Sequence, residues 1–173
     1  MNRVIGKARV FWPLVLLLVL SDCATKRWAS ERLVEHVPHP VLGEIVQFTL
    51  THNTGAAMGS SLGQYSRVGF SVLTLAALAM LFQLYRRAHA DDVRLATAVA
   101  AIVGGAVGNL LDRLRWDGGV VDFIDVGVGA SRFWVFNVAD MAVTLGAISL
   151  AWLLWRQEQS HQAQHPREPG AHA

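Results

Sequence analysis

The stretch FWVFNVADMAVTLGAISLAWLLW, Phe133–Trp155, decides the fold of this chain. It is one apolar run, long enough for the roughly 20 helical residues that cross a bilayer core of about 30 Å. It carries a single acid, Asp140, with Asn137 one helical turn ahead of it and a second carboxylate, Asp122, shortly upstream. An ionised group near the bilayer core costs several kcal/mol unless it is paired or lines a wet cavity, so an intramembrane aspartate marks a functional site by default.

Outward from this run, the chain repeats the pattern. Of its 173 residues 53% are hydrophobic and 16% charged, and the mean hydropathy is +0.34, an apolar balance unlike that of a soluble domain. The apolar runs predict spans over about 10–29, 68–85, 95–113 and 134–155. These use most of the chain, giving one integral-membrane domain over 1–158 and a polar tail over 159–173, expected to be disordered. His161 and His165 in that tail read as solvated residues rather than metal ligands, and no metal or cofactor is expected.

Lys and Arg close to span ends favour the cytoplasmic side. Arg3, Lys7 and Arg9 precede the first span, Arg86, Arg87 and Arg94 crowd the link between the second and third, and Arg156 follows the fourth. Both termini are therefore expected in the cytoplasm, and the two longer links, about 27–67 and 114–132, on the opposite face. The pI of 9.1 reflects this topology and not a nucleic-acid partner. The basic start and the LVLSDC sequence ending at Cys23 imitate a cleavable signal peptide, but Asp22 suits a cleavage position poorly and three spans follow, so the first helix reads as uncleaved.

The outer links are not helical in pattern. The alternation in EIVQFTLTHN predicts a strand. The Gly-rich sequel NTGAAMGSSLG has turn chemistry, and RWDGGVVDFID pairs a DGG turn with a β-branched run. The expected architecture is an all-α membrane protein of four transmembrane helices, with small β and loop elements capping the outer end.

Polar residues converge at that end. Asp22 and Lys26 are four apart and share a helix face. Asn109, Asp112 and Arg113 share another, and Asn137, Asp140, Asp122 and Asn53 lie on the same side of the membrane. Two carboxylates in a poorly solvated cleft cannot both ionise easily, so one stays protonated while the other accepts a proton from water, which is the chemistry of metal-free peptide hydrolysis. Asp122 and Asp140 form the expected dyad; spacing alone leaves Asp112 and Asp125 open. The GSSLG at Gly59–Gly63 matches a serine nucleophile pattern without its strand and helix context. Gly104 and Gly108 form a GxxxG that points to helix packing. A different reading is an ion-coupled transporter using Asp22, Lys26, Asp112 and Asp140, but 70–84 and 144–155 carry no ionisable residue, so no relay crosses the membrane.

Five ordered blocks, DCATK (Asp22–Lys26), NTGAAMG (Asn53–Gly59), GGAVGNLLDRL (Gly104–Leu114), VVDFID (Val120–Asp125) and FNVAD (Phe136–Asp140), resemble the lipoprotein signal peptidases, or signal peptidase II. The resemblance implies Asp122 and Asp140 as the catalytic pair and Asp22, Lys26, Asn53, Gly55, Asn109, Arg113 and Asn137 as substrate-binding or supporting residues. It further implies a β cradle and a mobile covering segment on the periplasmic side of a bacterial inner-membrane protein, acting as a monomer. The implied substrate is a prolipoprotein bearing a diacylglyceryl group, cleaved before the lipidated cysteine and met within the membrane lipid. Two departures stand beside the site: Met58 replaces the usual aromatic, and Trp134 lies where a proline is common.

Overall fold

The computed structural model describes residues 6–54 and 65–164. Each apolar run folds as one long helix, α1 (Ala8–Arg32), α2 (Ser66–Arg87), α3 (Val93–Arg115) and α4 (Val138–Gln164). All four are long and apolar enough to cross a membrane.

The helix α3 is the hub. Of its most apolar window 61% is buried, against 11 to 17% in the other three. Its inward residues are mostly small, Ala96, Ala98, Ala100, Gly104, Gly105 and Gly108. Lipid is as apolar as a leucine side chain, so helices in a membrane associate through close packing and polar contacts. A Cβ on Gly105 would stand 2.3 Å from the carbonyl oxygen of Ala139 in α4, and one on Gly108 would stand 2.5 Å from Asp22 Oδ2 in α1. The GxxxG thus packs α1, with Gly104 against Leu18, and its second glycine also admits a carboxylate to the bundle. Outward residues such as Leu17, Leu73, Leu145 and Ile148 stay mostly exposed, as a lipid-facing surface requires.

At one end, Phe11 stacks on Tyr85 at 4.0 Å over Leu95, Ala96, Val99 and Ala100. There Lys7 Nζ donates to the Tyr85 and Ala88 carbonyls at 2.6 and 2.5 Å, satisfying the C-terminus of α2.

At the other end lies an antiparallel sheet in the order β1 (His39–Leu42), β2 (Val46–Asn53), β3 (Val120–Val128), β4 (Ser131–Arg132). It packs on the end of α1 through Ala29, Leu50, Val121 and Phe123, with the Trp28, Phe48 and Phe123 rings edge to face. The β2–β3 register runs Phe48 opposite Ile124, then slips by one residue to put Thr51 opposite Asp122. A one-residue slip exchanges the faces of a strand. Beyond β4, Phe136 forms a bridge with Ile124 through N–H···O bonds of 2.8 and 3.0 Å, which ties the start of α4 to β3.

Three differences from the sequence reading follow. The fourth helix starts at Val138 and not near 134, because the backbone of Phe136 is engaged with β3. It also runs to Gln164, past the expected boundary at 158, so residues 159–164 are helical and not a disordered tail. Good helix formers and i to i+4 bonds, Ser160 to the Arg156 carbonyl and Gln162 to Glu158, carry it there. The strand β1 lies outside the strand-like stretches expected; its Pro40 lacks an N–H, and at a sheet edge that donor is dispensable. Gly55, Met58 and the GSSLG sequence lie outside the described residues.

Candidate active site

Asp140 is not in the middle of a helix. With α4 beginning at Val138, Asn137 is its N-cap and Asp140 belongs to the first turn. Asp140 N–H donates to Asn137 Oδ1 at 2.9 Å, and Asn137 N–H donates to Asp140 Oδ2 at 3.1 Å. This reciprocal pair is a capping box built from Asn and Asp, placing a carboxylate at the end of the helix dipole that suits it. The next orphan donor is met from another helix: Ala139 N–H donates to Asp22 Oδ1 at 3.0 Å.

Asn137 also reaches the sheet. Its fully buried amide donates to Asp122 Oδ1 at 2.6 Å and lies 3.1 Å from Asn109 Oδ1. One residue therefore touches both dyad candidates, Asp122 through its side chain and Asp140 through its backbone. The Phe136–Ile124 bridge sets this spacing, because it locks the residue before Asn137 two positions along from Asp122. Asn109 Nδ2 donates to Asp140 Oδ1 at 2.7 Å, and Asn53 Nδ2 donates to Asp122 Oδ2 at 3.2 Å.

Behind this unit stands a second one. Lys26 Nζ lies 2.7 Å from Asp22 Oδ2 and 2.9 Å from Asp112 Oδ2, and donates to Asn109 Oδ1 at 2.8 Å. All three charges are buried. Asp112 Oδ2 also accepts the Val121 N–H at 3.2 Å, so α3 fixes the residue adjoining Asp122. Asp125, the other acid left open by spacing, pairs with Arg132 at 2.7 Å and accepts from Thr49 at 3.1 Å. Asp112 and Asp125 are each matched to a cation; the contacts of Asp122 described above are to two neutral amides.

The electrostatics follow. Burial pushes the Asp122 carboxyl up to about 7, and the Asp140 charge adds to the rise; the Asn53 and Asn137 amides and Lys26 oppose it. The Arg113 side chain faces the charges of Asp140, Asp122 and Asp112 and stands 5.9 Å over the Phe70 ring. Arg67, which sequence reasoning passed over, donates to the Arg113 carbonyl and to Asp117, and to the Leu114 carbonyl at 3.2 Å. An Arg facing the last carbonyls of a neighbouring helix leaves no periodic signal in sequence.

Of the residues expected at the site, Asp22, Lys26, Asn53, Asn109, Arg113, Asp122, Asn137 and Asp140 converge at one end of the bundle, and Gly55 is outside the described residues. A sequence model described as Signal peptidase (SPase) II matches residues 14–156. The chain belongs to the signal peptidase II family. It is 35% identical over 160 residues to a lipoprotein signal peptidase of Syntrophotalea carbinolica, covering 92% of this chain and 99% of that one. A lipoprotein signal peptidase of Moorella thermoacetica is 39% identical, covering 83% and 91%. Two solved bacterial membrane enzymes, determined by the in meso method at 2.3 and 1.9 Å resolution, share the fold. The first has a TM-score of 0.75 at 25% identity over 91% of both chains; the second has 0.72 at 28%, over 82% of this chain and 89% of its own. The polar end of the bundle is thus the end of a membrane signal peptidase where three helices and a sheet bring acids together.

Proposed function

We propose that Asp122 and Asp140 are the catalytic dyad of an aspartic endopeptidase that cleaves the signal peptide from a diacylglyceryl-modified prolipoprotein, just before its lipidated cysteine. The observation that carries this is Asn137, whose amide holds Asp122 at 2.6 Å while its N–H holds Asp140 at 3.1 Å. A neutral amide between two acids leaves them to share a proton, and Asp122, pushed up to about 7, is the one that keeps it.

Asp140 then takes a proton from a water molecule, whose oxygen adds to the scissile carbonyl carbon while Asp122 gives its proton to the carbonyl oxygen. The tetrahedral diol collapses as the C–N bond breaks. The leaving amine takes the proton that Asp140 collected, and a diol hydroxyl returns one to Asp122. Arg113 offsets the charge of the dyad from the α3 side.

The membrane placement supports this substrate. A signal peptide is an apolar helix and a diacylglyceryl group stays among lipid chains, so a site at the end of the spans meets both without extracting either. The Arg-rich link between α2 and α3 supports a cytoplasmic location for that end, and with it a periplasmic sheet and dyad and both termini inside. The chain acts as a monomer in this reading, since every group of the dyad comes from one copy. Transport lacks a path: between Asp140 and Arg156 of α4, and between Arg94 and Asp112 of α3, the sequence has no ionisable side chain.

Asp122→Asn and Asp140→Asn test the dyad, with a purified lipidated precursor in micelles. Each should insert normally and lose about 10²–10⁴-fold in cleavage rate. Wild-type rates from both variants would overturn the assignment.

A further inference from the structure

Far from the dyad, α3 and α4 line a groove of about 620 Å³ on the membrane-facing surface. It is almost wholly apolar. Its two hydroxyl side chains are already engaged, Thr97 donating to the Val93 carbonyl at 2.8 Å and Ser149 to the Leu145 carbonyl at 2.7 Å, so the walls offer an apolar occupant no competing donor. The groove ends at Arg94, which lines it, and at Trp152, over whose ring Arg156 lies at 4.8 Å.

We propose that this groove holds one acyl chain of an anionic phospholipid, with the headgroup phosphate on Arg94 and Arg156. Charge complementarity selects the headgroup. The groove lining contains no acid. The neighbouring carboxylates are committed elsewhere, Asp92 accepting the Leu95 N–H at 3.1 Å as the cap of α3 and Asp91 lying 3.2 Å from His89. Basic pockets between spans recognise anionic headgroups in this way, and a tryptophan at the boundary holds the arginine near headgroup depth. The occupant is a chain and not a helix because the walls approach too closely along the groove floor, where a Cβ on the lining Gly146 would meet Ile102 Cγ1 at 2.8 Å and the Ala98 carbonyl oxygen at 2.9 Å. The site needs neither Asp122 nor Asp140, and stands whether or not the dyad is correctly assigned.

Native mass spectrometry of the full-length protein tests it, titrating phosphatidylglycerol against phosphatidylcholine with identical chains. The wild type should retain one phosphatidylglycerol in preference. Arg94→Gln and Arg156→Gln should each weaken that preference by about fivefold, the worth of one charge near an anionic surface. Ala101→Phe, which fills the groove, should lose both lipids alike, and Ile148→Phe repeats the test if the first variant misfolds. Cleavage of the lipidated precursor in micelles should be unchanged in the arginine variants. The proposal is overturned if the double arginine variant keeps wild-type selectivity, if both groove-filling variants retain lipid, or if the groove-filling variants abolish a dimer or block binding of a signal-peptide helix instead.

Discussion

Two pairs of aspartates lie side by side at the polar end of this bundle, and they differ in what stands between them. Asp22 and Asp112 flank an ammonium, Lys26, at 2.7 and 2.9 Å. Asp122 and Asp140 are joined by an amide residue, Asn137. The lysine neutralises one of its two acids and binds both, so the first pair is fixed structure that braces α1 against α3 and, through Ala139, caps α4. The amide neutralises nothing. It holds the second pair in place yet leaves the proton count undecided, which is the condition for moving a proton. The same residue type is braced by a buried cation in one pair and held by a neutral amide in the other, and the proposed chemistry belongs to the second.

Removing the ammonium should have the largest effect on stability. Lys26→Met leaves two buried carboxylates without their cation, and breaking a buried pair in this way costs about 3–5 kcal/mol. Thermal unfolding in detergent reads this loss. Replacing all three members of the first unit by apolar residues of similar volume should recover much of it, and a triple variant no more stable than Lys26→Met would show that the triad is not the brace described here.

Asn137→Ala comes next and separates the two units. The lost N-cap costs about 0.5–2 kcal/mol, whereas cleavage should fall by about 10²-fold, the penalty for an acid displaced by an ångström. The loss belongs in kcat with KM little changed, because the substrate need not touch Asn137. A variant that lost stability and rate in equal measure would make Asn137 a cap and nothing more.

The contrast was only partly readable in sequence. Apolar runs gave the first three helices within about three residues of their ends, while both ends of the fourth were missed, and the blocks pointed to the converging acids. The position of Asp140 was harder, since Phe133–Asn137 is as apolar as the helix it precedes and nothing local says that the backbone of Phe136 is bound to Ile124. One local signal was present, the N-x-x-D of a capping box, masked by the hydrophobic pattern around it. The separation of Asp112 from Asp122 needed the fold itself, because both precede or follow the same turn and only tertiary contacts give Lys26 to one and Asn137 to the other.

pH sharpens the comparison further. With Asp122 pushed up to about 7, cleavage should fall as pH rises through that value and the shared proton is lost. The folded pKa lies above the ordinary 3.8, so the protonated carboxyl contributes stability that is full below pH 3.8 and is lost as pH rises through about 7. Asn53 donates to Asp122 and favours its charged form. Asn53→Ala should therefore move the alkaline limb of kcat/KM to higher pH, and a limb that stays in place or moves down would mean another group sets it.

The smallest effect is expected at Arg67, which serves neither pair directly. It reaches from the start of α2 to the Arg113 and Leu114 carbonyls and to Asp117, meeting the last carbonyls of α3. Lysine keeps the charge but lacks the planar fork that spans several acceptors. Arg67→Lys should lower stability by about 1 kcal/mol, the worth of a hydrogen bond or two. Its effect on cleavage should stay below that of Asn137→Ala, since α3 carries Asn109 and Asp112 to the two pairs through contacts that Arg67 does not make. If Arg67→Lys instead slowed cleavage as much as Asn137→Ala, the end of α3 would have to move with α2 during the reaction, and the two aspartate pairs would differ in mobility as well as in charge.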